Sequence, residues 1–251
     1  MAPAGERVAE RLTGASPKRF RPGEILRRVD GITPLLASWD SATKPSQQRL
    51  KAYLDTLQGG LGLENHADSG LYIDLVVDVG LAARLSRHYD LENYLTPVAH
   101  RLGWGRFVFA RAVKRVGGGS SITIGVAAED PAPLPERWTS LAFKAGAGAS
   151  HSAWKQGIRA ALMAANVVQM GPGPVAVGLA WRCAPAKNWV ALWKPTGDAM
   201  GPVLGEPDPH NCFNVADDRI VELLLHRDVD SSMGQDIDVG MAWRSTDSSG
   251  T

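Results

Sequence analysis

Two acidic side chains and an amide, in the run Asp90-Leu91-Glu92-Asn93, stand where one periodic pattern of the sequence changes into another. Upstream, apolar residues at alternate positions of 73–79 are typical of a strand with one buried face. Downstream, apolar residues recur at helical spacing over 91–102. The carboxylates of Asp90 and Glu92 are therefore expected near a strand-to-helix junction, where clustered carboxylate oxygens suit a hard divalent cation such as Mg²⁺.

The same two residues also have a plainer interpretation. An Asp directly before a helix is commonly an N-cap, and a Glu in the first turn is favoured by the helix dipole. The local sequence leaves the cap and the metal site both open, and the rest of the chain bears on the choice.

Composition limits the class of protein. The chain has 251 residues, of which 44% are hydrophobic, which is enough for one large domain or two small ones. No apolar run approaches the ~20 residues that span a bilayer, and no secretion signal opens the sequence, so we expect a cytoplasmic protein without a membrane partner. Cys183 and Cys212 are too few for a disulfide framework, and together with His210 they lack the C-x-x-C spacing of a zinc site.

Charge is nearly balanced, with a formal net value of +1, so binding of a polyanion by bulk charge is excluded and a local basic face is not. Residues 1–30 concentrate arginine and lysine, including Arg19 and Arg21. They are predicted to form a basic and partly disordered leader. A nucleic-acid-binding arm and an ordinary solvated tail are both compatible with that composition.

The predicted order of elements occurs twice, which divides the chain into two units. The first unit is expected over 31–129, and the second over 137–245. A proline-rich linker at 130–136 joins them, and 246–251 form a disordered tail. The fold class predicted is α+β, with two tandem units, each a small mixed sheet with two helices, related by a pseudo-two-fold axis.

Two further local predictions concern the first unit. Residues 32–39 are expected to form a strand. The glycines at 117–119 predict a hairpin turn between strands at 107–113 and 122–126, and a second hairpin is expected at the end of the second unit.

The motif residues carry a resemblance to a known family. Asp90-Leu91-Glu92-Asn93 resembles the Asp-x-Asp-Asn signature of the RusA-like Holliday junction resolvases, which are homodimeric endonucleases of phages and bacteria; Glu92 replaces the second Asp. Residues 216–223, which begin Ala-Asp-Asp-Arg, resemble the acidic stretch that opens the next strand in that family. Lys194 and Asp198 fall where the family has a lysine and a later aspartate. The order of elements matches over nearly all of 45–244.

The two halves depart from the family pattern in complementary ways. The run 188–200 aligns without a gap on 90–102, so that Asn188 and Val190 stand where the signature acids belong, and Thr96 stands where the first half should have its lysine. The resemblance thus implies a fused pseudo-dimer, a monomer with one composite site drawn from both halves. Association of two such chains stays open.

The resemblance assigns roles to particular residues. The catalytic set is Asp90, Glu92, Asp217 and Lys194. The three acids are also the Mg²⁺ ligands, and the lysine neutralises the scissile phosphate. The residues that support this set are Asn93, Asp198 and Asp218. Position, and not the resemblance, suggests the candidate DNA contacts. Those near the two junctions are Arg87, Arg182 and Lys187, and those in the basic leader are Arg19 and Arg21; solvated surface is the alternative for all of them.

The function expected on these grounds is structure-selective binding of branched DNA, either alone or with Mg²⁺-dependent phosphodiester cleavage at the composite site. A single complete set of acids predicts a nick in one strand, since resolution of a four-way junction needs two symmetric cuts. The alternative is a catalytically inactive RusA-like scaffold or protein-interaction module.

Overall fold

The structure is a computed structural model that describes residues 16–37, 40–41, 43–63, 70–81, 90–145, 150–208 and 210–246. The strands within these residues are β1 (Phe20–Ile32), β2 (Leu71–Asp78), β3 (Phe107–Arg115), β4 (Ser120–Glu129), β5 (Thr139–Ala145), β6 (Val175–Cys183), β7 (Ile220–Val229) and β8 (Ile237–Ser245). The helices are α1 (Pro45–Leu61), α2 (Leu91–Leu102), α3 (His151–Ala164), α4 (Val190–Gly197) and α5 (Gly201–Leu204). The predicted mixed α+β class is confirmed.

All eight strands belong to one sheet, in the order β1-β4-β2-β3-β7-β6-β8-β5. The pairs β2–β3 and β6–β7 are parallel, and the other pairs are antiparallel. Read from either edge, the succession of parallel and antiparallel pairs is the same. The sequence predicted one small sheet per half; the structure instead has a continuous sheet, because β3 and β7 hydrogen-bond to each other at its centre.

The helices pack on one face of this sheet. Alternate strand residues, such as Ile73 and Leu75 of β2 or Leu179 and Trp181 of β6, join buried residues of the helices in a single apolar core. The opposite face, called here the open face, carries no helix among the described residues. On it a groove of ≈ 700 Å³ lies between the sheet and residues of the chain at 16–22 and 130–138.

The predicted hairpin at the glycines is wrong, because β2 lies between β3 and β4. The connection from β3 to β4 crosses the end of β2, where the Asp78 carboxylate accepts hydrogen bonds from the amides of Gly117 and Gly119, each at 2.9 Å. Gly117, Gly118 and Gly119 all have positive φ, between 73° and 85°, which glycine adopts without strain. The second predicted hairpin is wrong for the same reason, since β6 separates β7 from β8.

The expected leader also differs from the structure. Residues 20–30, predicted to belong to it, lie in the edge strand β1, which pairs with β4. Its arginines and acids are mostly exposed, which is usual for an edge strand and conceals the period-two pattern. The strand predicted at 32–39 is wrong, because 33–37 have no regular structure. Residues 1–15, 38–39 and 247–251 lie outside the described part of the chain.

The proline-rich connection between β4 and β5 runs between distant strands. Six strand spacings separate β4 from β5, a distance of about 29 Å at the usual ~4.8 Å per strand. The steps from Glu129 to Thr139 reach about 33 Å when fully extended. The connection must therefore be largely extended, which suits its three prolines, and a hydrogen-bonded turn lies at its end near β5, where the Trp138 amide donates to the carbonyl of Pro135 at 2.9 Å. In the described part of the chain, no helix combines the length and apolarity needed to cross a membrane.

Candidate functional site

Four carboxylates from two distant parts of the sequence surround one lysine at the middle of the helical face. The Lys194 Nζ lies 2.9 Å from Asp90 Oδ2, 3.1 Å from Glu92 Oε1, 3.1 Å from Asp198 Oδ1 and 3.0 Å from Asp217 Oδ2. We call these four acids the acidic cluster. The structure therefore brings together the four residues predicted to be catalytic, and the sequence separation between Asp90 and Lys194 is bridged by the packing of α2 against α4.

Each acid is positioned by the end of an element. Asp90 precedes α2, and Glu92 lies in the first turn of that helix. Asp198 ends α4, one helical turn after Lys194. Asp217 is the first residue of a short 3-10 turn, Asp217–Arg219, that leads into β7. Helix and strand ends leave side chains free to converge while the elements behind them stay fixed.

The N-cap interpretation of Asp90 does not hold in its simple form. Asp90 occupies the N-cap position with extended backbone, φ −68° and ψ 128°, yet its side chain accepts no capping hydrogen bond. The carboxylate instead accepts hydrogen bonds from Lys194 Nζ and, at 3.1 Å, from Asn93 Nδ2. Asn93 thus orients Asp90, which is the supporting role predicted for it.

Three of the acids could share one cation. Oxygen atoms of Asp90, Glu92 and Asp217 lie within 4.8 Å of one another. Two ligands on opposite sides of Mg²⁺ are separated by about 4.2 Å, since each Mg–O distance is ~2.1 Å, so the group needs only a small contraction to bind that ion. Glu92 Oε1 is buried and, although close to Lys194, makes no hydrogen bond of acceptable geometry. A buried carboxylate oxygen that accepts no well-aligned hydrogen bond is suited to a metal ligand.

The electrostatics of the cluster are unusual. Burial raises the pKa of Glu92 to about 7 and the pKa of Asp217 to about 6, because the charged carboxylates lose solvation and repel each other, while Lys194 opposes the shift. Burial lowers the pKa of Lys194, but the four carboxylates outweigh it and raise that pKa above its usual value. The ammonium of Lys194 is therefore charged, and it offsets the repulsion among the four carboxylates.

Two lysines that the sequence pattern did not single out also belong to the site. Lys155 of α3 donates to Asp198 Oδ2 at 2.7 Å. Lys114 of β3 is buried, with 4% of its surface exposed, and donates to the backbone carbonyl of Asp218 at 2.7 Å. Burial lowers the pKa of Lys114, and the carboxylates of Asp218, Asp90, Glu92 and Asp217 counteract that shift. Asp218 thus contributes its backbone oxygen to the site.

The predicted DNA contacts do not gather around the acidic cluster. Arg182 was expected beside the second junction, but strand alternation directs it to the open face, where it pairs with Asp228 at 2.8 Å and Asp238 at 3.6 Å. Arg19 and Arg21 line the groove on that face, and the Arg19 guanidinium binds the carbonyl of Ala132.

Of the remaining two basic residues, Lys187 is half-buried in the connection between β6 and α4, and Arg87 lies outside the described residues. The basic residues closest to the acids are instead lysines of β3, α3 and α4.

A second cluster, made of aromatic rings, lies near the start of α4. Trp189 and Trp193 are 0% and 1% exposed, and their ring centroids are 4.9 Å apart. Trp189 also donates from Nε1 to the carbonyl of Trp104 at 3.2 Å. Both indoles are therefore packing residues and are not free to stack on a base.

Comparison of the chain with protein-family models, with curated proteins and with solved structures returns no match.

Proposed function

We propose that this chain is a single-chain, tandemly duplicated counterpart of the RusA-like resolvases that binds branched DNA and cuts one phosphodiester bond with Mg²⁺ at a composite site. The observation that carries the proposal is the convergence of Asp90 and Glu92 from one half with Asp217 and Lys194 from the other. The proposal would have no basis if these positions held residues that cannot bind a metal or a phosphate, or if the four side chains lay far apart.

The duplication is supported by the register of the two central strands. The paired residues are centred on Arg111 of β3 opposite Leu224 of β7, and a two-fold rotation about that point equates Phe107 with Ile220, which begin β3 and β7, and Trp104 with Asp217, which begin the 3-10 turns before them. Both parallel strand pairs also have a register shift directly after their first residues. Two independent irregularities at matching places are expected of a repeated unit.

The residues of the cluster have the chemistry for phosphodiester hydrolysis. A bound Mg²⁺ ion would lower the pKa of a coordinated water and offset charge on the phosphate. Asp90, Glu92 and Asp217 would hold that ion, with Asn93 fixing the orientation of Asp90. The Lys194 side chain is 38% exposed, and its ammonium would neutralise negative charge that develops on a phosphate bound beside the acids.

A single cut is expected because the equivalent position of the other half lacks the acids. By the gapless alignment of 188–200 on 90–102, Asn188, Val190 and Thr96 take the places of Asp90, Glu92 and Lys194. By the register of β3 and β7, Trp104 takes the place of Asp217. The chain would therefore nick one strand of a branched substrate.

One observation favours a second function, that of a catalytically inactive scaffold. Lys194 already forms an ion pair with each of the four acids, so the cluster can serve as an internal ion-pair network that joins α2 to α4 without any metal. In that case branched DNA, or a protein partner, would be bound without cleavage.

The test compares a four-way DNA junction with a linear duplex of the same sequence, in Mg²⁺ and in EDTA. We expect a gel shift that favours the junction, and in Mg²⁺ a product cut in one labelled strand. Asp90→Asn should keep the shift and lose the product, whereas Asp236→Asn, which removes an exposed partner of Lys144, should change neither. Equal affinity for both DNAs without a product would refute the proposal, and a junction-specific shift without a product would support the scaffold.

A further inference from the structure

Lys114 is a buried cation that the residue pattern did not select and that the four predicted catalytic residues do not include. It lies near the end of β3, in phase with the buried Ala110 and Ala112, so its side chain enters the helical side of the sheet. A lysine there must lose most of its hydration. Its partners are the backbone carbonyl of Asp218 and the negative charge of the acidic cluster.

The other half contains a matching arrangement. Arg227 of β7 stands three residues beyond Leu224, as Lys114 stands three residues beyond Arg111, so the two cations are related by the pairing of β3 with β7. Arg227 is 2% exposed, and its Nη1 donates to the carbonyl of Gly105 at 3.1 Å.

The acceptors of the two cations also match. Gly105 is the middle residue of the 3-10 turn Trp104–Arg106 that precedes β3, and Asp218 is the middle residue of the 3-10 turn that precedes β7. Each cation therefore hydrogen-bonds to the equivalent carbonyl, that of the middle residue in the 3-10 turn before the neighbouring strand.

What differs is the residue that each turn presents. The turn held by Arg227 begins with Trp104, whose ring lies 5.3 Å from the guanidinium. The turn held by Lys114 begins with Asp217, whose carboxylate belongs to the acidic cluster. The Arg227 arrangement has the same bond at a turn that carries no acid, so we expect its effect there to be on the backbone of the turn alone.

We infer that Lys114 is a positioning residue of the proposed Mg²⁺ site: it fixes the Asp217–Arg219 turn so that the Asp217 carboxylate faces Asp90 and Glu92. This inference rests on the proposed function for its role in metal binding. Its structural part, the control of the turn by Lys114, can be tested without any metal. Groups that orient a metal ligand typically change metal affinity or activity about 10–100-fold when they are removed.

The first measurement is hydrogen exchange of the metal-free protein, with Lys114→Met and the matched control Arg227→Met. Lys114→Met should speed exchange in peptides that cover 215–220 and leave those that cover 103–107 unchanged, and Arg227→Met should do the reverse. Lys114→Arg should retain the wild-type exchange, because Arg227 shows that a guanidinium can make this bond. Unchanged exchange at 215–220 in Lys114→Met would overturn the inference.

The second measurement is Mg²⁺ affinity by calorimetry. Lys114→Met should bind at least about 10-fold more weakly than wild type, while Lys114→Arg and Arg227→Met stay close to wild type. Tighter binding by Lys114→Met would mean that Lys114 acts only as a repelling charge, and it would also overturn the inference. If wild type binds no Mg²⁺, the proposed function fails, and hydrogen exchange alone decides whether Lys114 holds the turn.

Discussion

Replacement of Lys194 by methionine should turn the acidic cluster from a network with its own cation into one that depends on a bound cation. The change removes the ammonium that lies within 3.1 Å of all four carboxylates and keeps most of the apolar side chain. The remaining acids would repel one another at the junction of α2 and α4. We therefore expect Lys194→Met to destabilise the metal-free protein and to make its stability respond strongly to divalent cations.

The size of the effect follows from burial. Removal of one partner of a buried ion pair costs about 3–5 kcal/mol. Because 38% of the Lys194 side chain is exposed, water screens part of the interaction, and we expect a loss of about 2–3 kcal/mol. For a chain of this length that loss lowers the melting temperature by roughly 5–10 °C. A cation at one hundred times its dissociation constant returns about 2.7 kcal/mol, which is close to the whole loss.

The assay is thermal unfolding of both proteins in EDTA and over a Mg²⁺ series at constant ionic strength. Mg²⁺ should raise the melting temperature of Lys194→Met more than that of wild type, because in wild type the ion must compete with the ammonium. Lys155→Met is the matched control: it removes an ion pair with Asp198 but leaves the three prospective ligands untouched. The reasoning is refuted if Lys194→Met is as stable as wild type in EDTA, or gains no more from Mg²⁺ than Lys155→Met.

Two further predictions concern the same region. Folding raises the pKa of Glu92 from 4.5 to about 7, so this residue contributes stability below pH 4.5 that is lost as the pH rises through about 7. In EDTA, the free energy of unfolding of wild type minus that of Glu92→Gln should therefore fall between these two pH values. A difference that stays constant with pH in urea titrations would contradict the assignment. Trp189→Ala should lower the free energy of unfolding in urea by about 3–5 kcal/mol, because a fully buried indole is removed from the core, and should leave Mg²⁺ affinity unchanged. Unchanged stability with weaker DNA binding would instead indicate that Trp189 stacks on a base.

Periodicity in the sequence placed one half of the acidic cluster, and the family resemblance supplied the other. The change from period two to helical spacing correctly predicted β2, α2 and the position of Asp90 between them. The resemblance to the RusA-like family selected Lys194 and Asp217 of the second half as residues that could complete the acids of the first. That suggestion was correct about their proximity, because the two halves meet through β3 and β7 and bring α2 next to α4.

Lys114 was missed because of a backbone irregularity that composition does not reveal. A strictly alternating strand puts Phe107 and Phe109 on one face and Lys114 on the other, away from an aromatic core. In the structure the register shifts between the pairs Leu71–Phe107 and Tyr72–Phe109, so Phe107 faces the helices and Phe109 the open face. Every later side chain of β3 changes face as a result, and Lys114 enters the helical side.

The two ends of the β3–β7 pair, where the two halves meet, carry different kinds of residues. This difference suggests why two copies in one chain would retain one site. In a homodimer every substitution appears at both symmetric sites, so acids cannot be lost at one and kept at the other. In the proposed duplication, the joining of two copies in one chain removes that constraint. At one end the buried Trp189 donates to the carbonyl of Trp104, and its large apolar surface stabilises the contact between the halves. At the other end, Glu92 and Asp217 remain at a cost, since burial raises the pKa of both carboxyls. A costly acidic cluster opposite an apolar one is the distribution expected if one end supports the fold and the other a function.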